Sequence, residues 1–248
     1  MTASLSTLRA SLLRECVFDR VARSARASRA FVTVRRQGAA VERPAAGVER
    51  RTLYQATGSV RRAGEPQCVQ LIELAPGAHC GGWPADGLQR EWLLMRGQAR
   101  LGALALQVRD YHRAPAGRAC GALASDSGAL LYLREAPGLP GPTACTQRDA
   151  GAPWDDFAPG IKRRVLWVQA GEAAMLYQAL PGAAVPRHAH GHDEECLMLE
   201  GELFLDDVLL QSGDYQIAPA GSMHGGVSTD TGAVLFAHGD LNLEVLPG

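Results

Sequence analysis

The chain has 248 residues and a formal net charge of −1, a balance that favours neither a nucleic acid nor an anionic membrane as partner. No apolar run approaches the roughly 18 residues needed to cross a bilayer, and the first residues lack the pattern of a secretory signal peptide. The six cysteines are scattered without a CxxC pair, which is typical of reduced thiols and predicts a cytoplasmic protein.

Residues 1–46 are predicted to contain an N-terminal helix followed by a lead-in strand. Apolar residues recur at steps of three to five in the segment 5–27, as on one face of an amphipathic α-helix; they are Leu5, Leu8, Leu12, Cys16 and Val21. Residues 1–36 also hold eight Arg against two acidic residues. Either this basic face is solvated while the helix packs on the rest of the protein, or it binds a protein partner or an anion.

The remainder of the chain repeats itself, which indicates two related units. Residues 91–135 align with residues 195–239 at a constant offset of 104 without a gap, with 17 identities in 45 positions. Upstream, GVERRTLY at 47–54 matches GIKRRVLW at 160–167. We therefore divide the chain into the N-terminal region 1–46, a first copy at 47–136, a linker rich in Pro and Gly at 137–159, and a second copy at 160–248.

Both copies consist of short apolar runs separated by Gly, Pro and Asp, a pattern typical of antiparallel strands joined by tight turns. Asp206 and Asp207 are the predicted tip of one hairpin. Strands at this spacing favour a small antiparallel barrel or jelly roll, and two copies predict two barrels.

The second copy carries two groups of residues that suit a metal site. Gly182 is followed by five residues, then His188, Ala189 and His190, three more residues, Glu194, six more and Gly201. Further on, Gly213 precedes Pro219 by five residues, and His224 follows. Residues two apart on a strand face the same side, so His188, His190 and Glu194 are expected to converge, with His224 entering from a neighbouring strand. Three imidazoles and a carboxylate are a ligand set for a divalent transition metal.

Nearby residues leave alternatives open. His192 continues the alternation and Glu195 adjoins Glu194, so either could act as a ligand instead. Cys196 and Met198 share the inward parity and are interpreted as cavity lining. His238 is interpreted as an ordinary strand histidine.

These two segments resemble the two cupin motifs, G(x)5HxH(x)3–4E(x)6G and G(x)5PxG(x)2H, with Ser228 where the second motif often ends in Asn. HAHGHDEECLMLEGEL, GDYQIAPAGSMH and WDDFAPGIKRRVLW further resemble the cupin domain of ChrR-type anti-sigma factors. The resemblance implies an all-β fold of two tandem cupin (jelly-roll) barrels preceded by a short N-terminal α-helix. It also implies metal binding by four residues, which are His188, His190, Glu194 and His224.

The first copy lacks these ligands. The residues that align with them are Trp83, Ala85, Arg90 and Cys120, and a guanidinium repels a cation. His79, Cys80 and His112 lie nearby, but their spacing matches no metal-binding pattern. The first copy is therefore predicted to be structural, or to hold an apolar pocket without metal.

Two functions remain open for the second copy. In ChrR-type proteins the sigma factor is bound by an N-terminal zinc-binding helical domain with a His and CxxC pattern, which this sequence does not have, so the anti-sigma activity does not carry over. We favour a regulatory or sensing metal-binding bicupin. The alternative is a metal-dependent, dioxygenase-like enzyme acting on a small organic substrate. The sequence shows no recognisable general acid or base for it, and Glu195, Tyr215 and His238 are candidates.

The ligand set predicts one divalent transition metal, zinc or iron first, with nickel or manganese as further choices. A small-molecule ligand or substrate, a homodimer and a protein partner for the basic helix are also expected. No direct contact with nucleic acid or membrane is expected.

Overall fold

The computed structural model describes Arg14, Phe18 and residues 31–57, 65–138 and 143–246. Apart from Arg14 and Phe18, the predicted helix over residues 5–27 lies outside the described residues. Within the described ranges there is no helix with the length and hydropathy that a membrane crossing requires.

From residue 31 onward the described chain is all β apart from one 3-10 helix, Arg36–Gly38. The first twelve strands are β1 Val32–Val34, β2 Ala40–Ala45, β3 Val48–Gln55, β4 Cys68–Leu74, β5 His79–Cys80, β6 Leu88–Gly97, β7 Ala99–Leu101, β8 Leu104–Leu106, β9 Tyr111–Ala114, β10 Leu123–Ala124, β11 Ala129–Pro137 and β12 Cys145–Gln147. The other twelve are β13 Asp155–Ala158, β14 Ile161–Gln169, β15 Glu172–Ala179, β16 Ala184–Val185, β17 His188–Ala189, β18 Glu194–Leu205, β19 Val208–Gln211, β20 Tyr215–Ala218, β21 Met223–His224, β22 Val227–Ser228, β23 Ala233–Asp240 and β24 Glu244–Val245. This all-β content agrees with the predicted jelly-roll class.

Each half of the chain builds one large antiparallel sheet with the same strand order. The first half has the order β12-β9-β6-β11-β4-β3-β2, and the second half has β1-β20-β18-β23-β15-β14-β13. The 104-residue repeat relates β6 to β18, β9 to β20 and β11 to β23. The sequence repeat is therefore also a structural repeat.

The edge strand of each large sheet comes from elsewhere in the chain. β12 lies in the segment 137–159 but pairs with β9, with Cys145 opposite Arg113. β1 lies in the N-terminal region but pairs with β20, with Val32 opposite Ile217. The segment 137–159 was predicted to be a linker, yet its described residues include β12 and β13. Gly151 and Pro153 lie between β12 and β13 and separate them.

An equivalent ion pair holds each of these edge strands. Arg35 follows β1 and contacts Asp214 with 2.7 Å between Nη1 and Oδ2, and Arg148 contacts Asp110 with the same atoms at 2.7 Å. The other oxygen of each carboxylate accepts a backbone N–H from the residue after the arginine, at 3.0 Å in the second half and 2.9 Å in the first. The repeat therefore preserves the attachment as well as the strands.

Gly201 shows why the repeat requires glycine at one turn. Its φ is +77°, a region that L side chains rarely adopt, and a Cβ there would lie 2.1 Å from the carbonyl oxygen of Gly232. Gly97 in the first half has a φ of +81° and the same 2.1 Å clash with Gly128. Only glycine fits both positions.

The interior of the first half is filled by aromatic side chains. Trp83 and Trp92 pack edge to face with ring centroids 5.6 Å apart, inside a cluster of buried aliphatic residues. Trp83 pairs with Cys120 across the strands, while Arg90 contacts Asp86 at 2.6 Å and Glu135 at 2.7 Å. Of the residues that align with the candidate ligands, Trp83 and Cys120 are thus occupied with packing and Arg90 with ion pairs.

A charged network is buried between the two halves. Arg134 of β11 contacts Glu195 of β18, with 2.6 Å between Nε and Oε1, and Glu91 of β6, with 3.2 Å between Nη1 and Oε1. Tyr111 donates to Glu91 at 2.8 Å, and Tyr215 donates to Glu195 at 2.9 Å. An apolar cluster drawn from both halves surrounds this network, so the halves share one core.

Candidate metal centre

Three strands bring the candidate ligands together, two of them only two residues long. β17 pairs with β21, which places His188 directly opposite His224. His190 follows β17, and its backbone is held by Ser222, whose carbonyl oxygen accepts the His190 N–H at 3.1 Å. Glu194 begins β18, the longest strand.

The side chains of these residues converge on one point. Ligand atoms of His188, His190 and Glu194 all lie within 4.8 Å of one another. Oε2 of Glu194 is 2.6 Å from Nδ1 of His190 and 3.9 Å from Nε2 of His188. The ring of His224 lies 5.5 Å from that of His188 and 5.0 Å from that of His190, measured between centroids. The structure therefore brings together donor atoms of three of the four predicted ligands, His188, His190 and Glu194, and places the ring of His224 beside them.

The donor atoms fit a cation. Both ring nitrogens of His190 and Oε2 of Glu194 are buried without a hydrogen-bond partner among the described residues, although Nδ1 and Oε2 lie only 2.6 Å apart. These two atoms are thus close to each other but are not aligned as in a hydrogen bond. Leaving such groups unpaired costs about 1–3 kcal/mol each, and a metal ion bound by Glu194 and one ring nitrogen of His190 would remove part of that cost.

The protonation of the ligands also suits a metal, which binds neutral imidazole and ionised carboxylate. Burial lowers the pKa of His188. Burial opposes the ionisation of Glu194, but the contact with His190 and the neighbouring imidazoles outweigh it and lower the pKa of that carboxyl. Burial likewise disfavours protonated His190, but Glu194 outweighs it and raises the pKa of this imidazole.

Two imidazoles are oriented through the nitrogen that faces away from the other ligands. Nδ1 of His188 lies 2.9 Å from the carbonyl oxygen of Pro186, and Nδ1 of His224 lies 3.0 Å from Oδ2 of Asp206. Such contacts fix the tautomer and leave Nε2 for a metal. Asp206 also accepts the backbone N–H groups of Gly225 and Gly226.

The role of Asp206 was missed by the sequence analysis, which placed it only at a hairpin tip. Its φ of +54° is tolerated best by Asn, Asp and Gly. No sequence signal connects this turn with His224, since the pairing depends on how two separate turns meet.

The alternative ligands lie elsewhere. Nδ1 of His192 is 2.5 Å from Oδ1 of Asp240, outside the convergence point. Glu195 faces the opposite side of β18 and contacts Arg134. His238 is buried between the halves, 3.6 Å from Glu91. Met198, which was predicted to line the cavity, packs in a buried cluster and is not among the cavity-lining residues.

A cavity of about 70 Å³ adjoins the convergence point, room for a few water molecules or a small organic group. Its walls are mostly apolar, and Cys196 is among them, as predicted. Besides His188, Glu194 and His224, the polar lining consists of Tyr177, Cys196 and Gln216. Burial raises the pKa of Tyr177 to about 12 and also raises that of Cys196, so both stay neutral near pH 7.

The N-terminal strand also reaches this centre. Phe31, just before β1, lies 5.0 Å from the ring of His224, between centroids. The residue that leads into β1 is thus in contact with a candidate ligand.

One family model matches part of the chain. Residues 143–242 match the family model described as the ChrR Cupin-like domain. No curated protein matches the chain significantly.

Solved structures share the fold at low sequence identity. A crystal structure described as a candidate dioxygenase from Nostoc punctiforme has a TM-score of 0.63 and 18% identity, covering 81% of this chain and 78% of that one. Oxalate decarboxylase from Bacillus subtilis gives 0.65 and 16%, covering 84% and 76%. Protein Ylba from E. coli gives 0.67 and 14%, covering 88% and 93%. The chain therefore shares the fold of these structures, and its residues 143–242 match the model of the ChrR Cupin-like domain.

Proposed function

We propose that each half forms one cupin barrel and that the second binds one divalent transition metal through His188, His190, Glu194 and His224. The observation that carries this proposal is the set of buried, unpartnered donor atoms on His190 and Glu194. Two further imidazoles, oriented by Pro186 and Asp206, complete the ligand set. Zinc or iron suits these donors first, and nickel or manganese also fits.

We further propose a regulatory or sensing role, in which occupancy of the metal centre is transmitted to the N-terminal region. A bound metal supplies a Lewis acid that can hold an oxygen atom of a ligand in the cavity. The described cavity lining has no carboxylate or imidazole apart from the candidate ligands, so a separate acid or base is lacking there. The contact of Phe31 with His224 offers a route from the centre to the N-terminal region.

Hydrogen exchange tests this route. Removing the metal with a chelator should speed amide exchange in β1 and β20 by about fivefold or more. A coupling free energy at the lower end of the usual range of about 1–3 kcal/mol has an effect of this size. β12 and β9 form the equivalent strand pair in the first half and should exchange at an unchanged rate. Equal exchange in β1 with and without metal would sink the sensing proposal, and a uniform rise across the second half would make the metal merely structural.

An enzymatic role is the second candidate. It is supported by the small cavity beside the ligands and by the structural similarity to proteins described as a candidate dioxygenase and an oxalate decarboxylase. Oxygen uptake by the iron-loaded protein in a panel of small organic acids would favour it. A homodimer and a protein partner for the basic N-terminal helix are further proposals.

A further inference from the structure

Gln216 is a buried polar residue that the metal centre does not use. On β20 its neighbours Tyr215 and Ile217 pack in the core shared by the two halves, so Gln216 faces the opposite side, into the cavity. It is 2% exposed. Its Oε1 is buried without a hydrogen-bond partner among the described residues.

The N-terminal strand fixes the orientation of this amide. Thr33 of β1 lies directly opposite Gln216, and Nε2 of Gln216 donates to Oγ1 of Thr33 at 2.9 Å. With the amide nitrogen engaged, the carbonyl oxygen is the group left without a partner. An unpaired acceptor in an otherwise apolar wall is unfavourable unless a ligand donates to it.

The first half of the chain provides an internal comparison. His112 occupies the position of Gln216, and its Nδ1 lies 2.8 Å from Oγ1 of Thr146, the counterpart of Thr33. The ring of His112 lies 5.9 Å from that of Trp92, in the interior that the two Trp side chains fill. The threonine contact therefore recurs in both halves, whereas the unpaired acceptor facing a cavity occurs at Gln216.

We propose that Gln216 is the recognition residue of the cavity and accepts a hydrogen bond from a hydroxyl or amine of a small organic acid. This inference rests on the proposed metal centre, which would take the anionic oxygen of the same ligand. The described cavity lining contains no Arg or Lys, so the metal is the group that can bind a carboxylate there. The volume of about 70 Å³ restricts the ligand to a short chain.

Thr33 acts as a positioning residue. It does not line the cavity, but it holds the amide so that Oε1 faces the ligand. This makes ligand recognition dependent on β1, the strand that comes from the N-terminal region.

A pair of near-isosteric acids tests the proposal. In butyrate a methyl group replaces the hydroxyl of 3-hydroxypropionate. We would measure by calorimetry the binding of each acid to the zinc-loaded full chain. The wild type should bind the hydroxy acid about tenfold or more tightly, because a site that pairs with a hydroxyl discriminates against the analogue without it. Gln216→Met, which keeps the side-chain volume, should bring the two affinities to within about twofold.

Thr33→Val should also reduce the preference, and Thr146→Val is the matched control that should keep it. Metal content measured on each variant separates the proposal on Gln216 from the proposed metal centre. A wild type that holds zinc but shows no preference overturns the role of Gln216 alone, as does an unchanged preference in Gln216→Met. A wild type that binds neither acid overturns the proposed ligand class, and one that holds no zinc overturns the metal centre and this inference together.

Discussion

Replacing His190 with alanine should lower the metal affinity of the purified protein by about 100-fold or more, since removing a direct ligand exceeds the 10–100-fold cost of removing a residue that only orients one. The side chain of His190 is fully buried, and neither ring nitrogen has a hydrogen-bond partner among the described residues. Its loss would leave the carboxylate of Glu194 without its nearest imidazole. Elemental analysis of protein dialysed against a graded series of chelator concentrations measures the effect.

His192→Ala is the matched control, because His192 is in the same segment but contacts Asp240. This variant should keep the metal content of the wild type. Asp206→Ala should fall between the two, with a loss of about 10–100-fold, because Asp206 orients His224 without being a ligand. Full metal retention by His190→Ala would remove this residue from the site.

Replacing Arg134 with methionine should lower the free energy of unfolding by about 3–5 kcal/mol, the cost of leaving buried charges without their partner. Arg134 is 1% exposed, and the two carboxylates that it contacts, on Glu91 and Glu195, are 0% and 1% exposed. Burial opposes the ionisation of Glu91, but His238 and Arg134 outweigh it and hold the pKa of this carboxyl at about 2. The variant would therefore leave two buried carboxyl groups without the cation that they share. Denaturant unfolding followed by fluorescence measures the loss.

Arg96→Met is the control for this variant. Arg96 contacts Glu73 at 2.7 Å, but its side chain is 63% exposed, and exposed ion pairs contribute about 0–1 kcal/mol. Equal effects of the two substitutions would show that the network between the halves carries no special weight. The Arg134 loss would then have to be assigned to side-chain packing.

The proximity of His188, His190 and Glu194 was predictable from the sequence because their spacing is local. His188 and His190 are two residues apart, and the HxH and PxGxxH segments each form a short element whose geometry depends on few neighbours. The repeat of 104 residues likewise predicted two related units, which the strand order confirms at the level of the sheets. The ligand role of these residues stays a prediction until metal is measured.

Long-range pairing was not predictable. The residues of β1 and β12 do not indicate that β1 pairs with β20 or that β12 pairs with β9. Edge pairing depends on which strand presents free backbone groups nearby. The sequence gives no sign that Glu91 and Arg134 are buried, and it suggested Glu195 as an alternative ligand rather than as part of a buried network. Their burial follows from the packing of two sheets against each other, which no local pattern encodes.

The most direct test of the central claim is metal analysis of the wild-type protein combined with X-ray absorption at the edge of the metal found. We expect one divalent metal per chain, coordinated by three imidazole nitrogens at about 2.0–2.1 Å and by a carboxylate oxygen. A substoichiometric metal, or a metal whose spectrum shows sulfur ligands or fewer than two imidazoles, would contradict the site formed by His188, His190, Glu194 and His224.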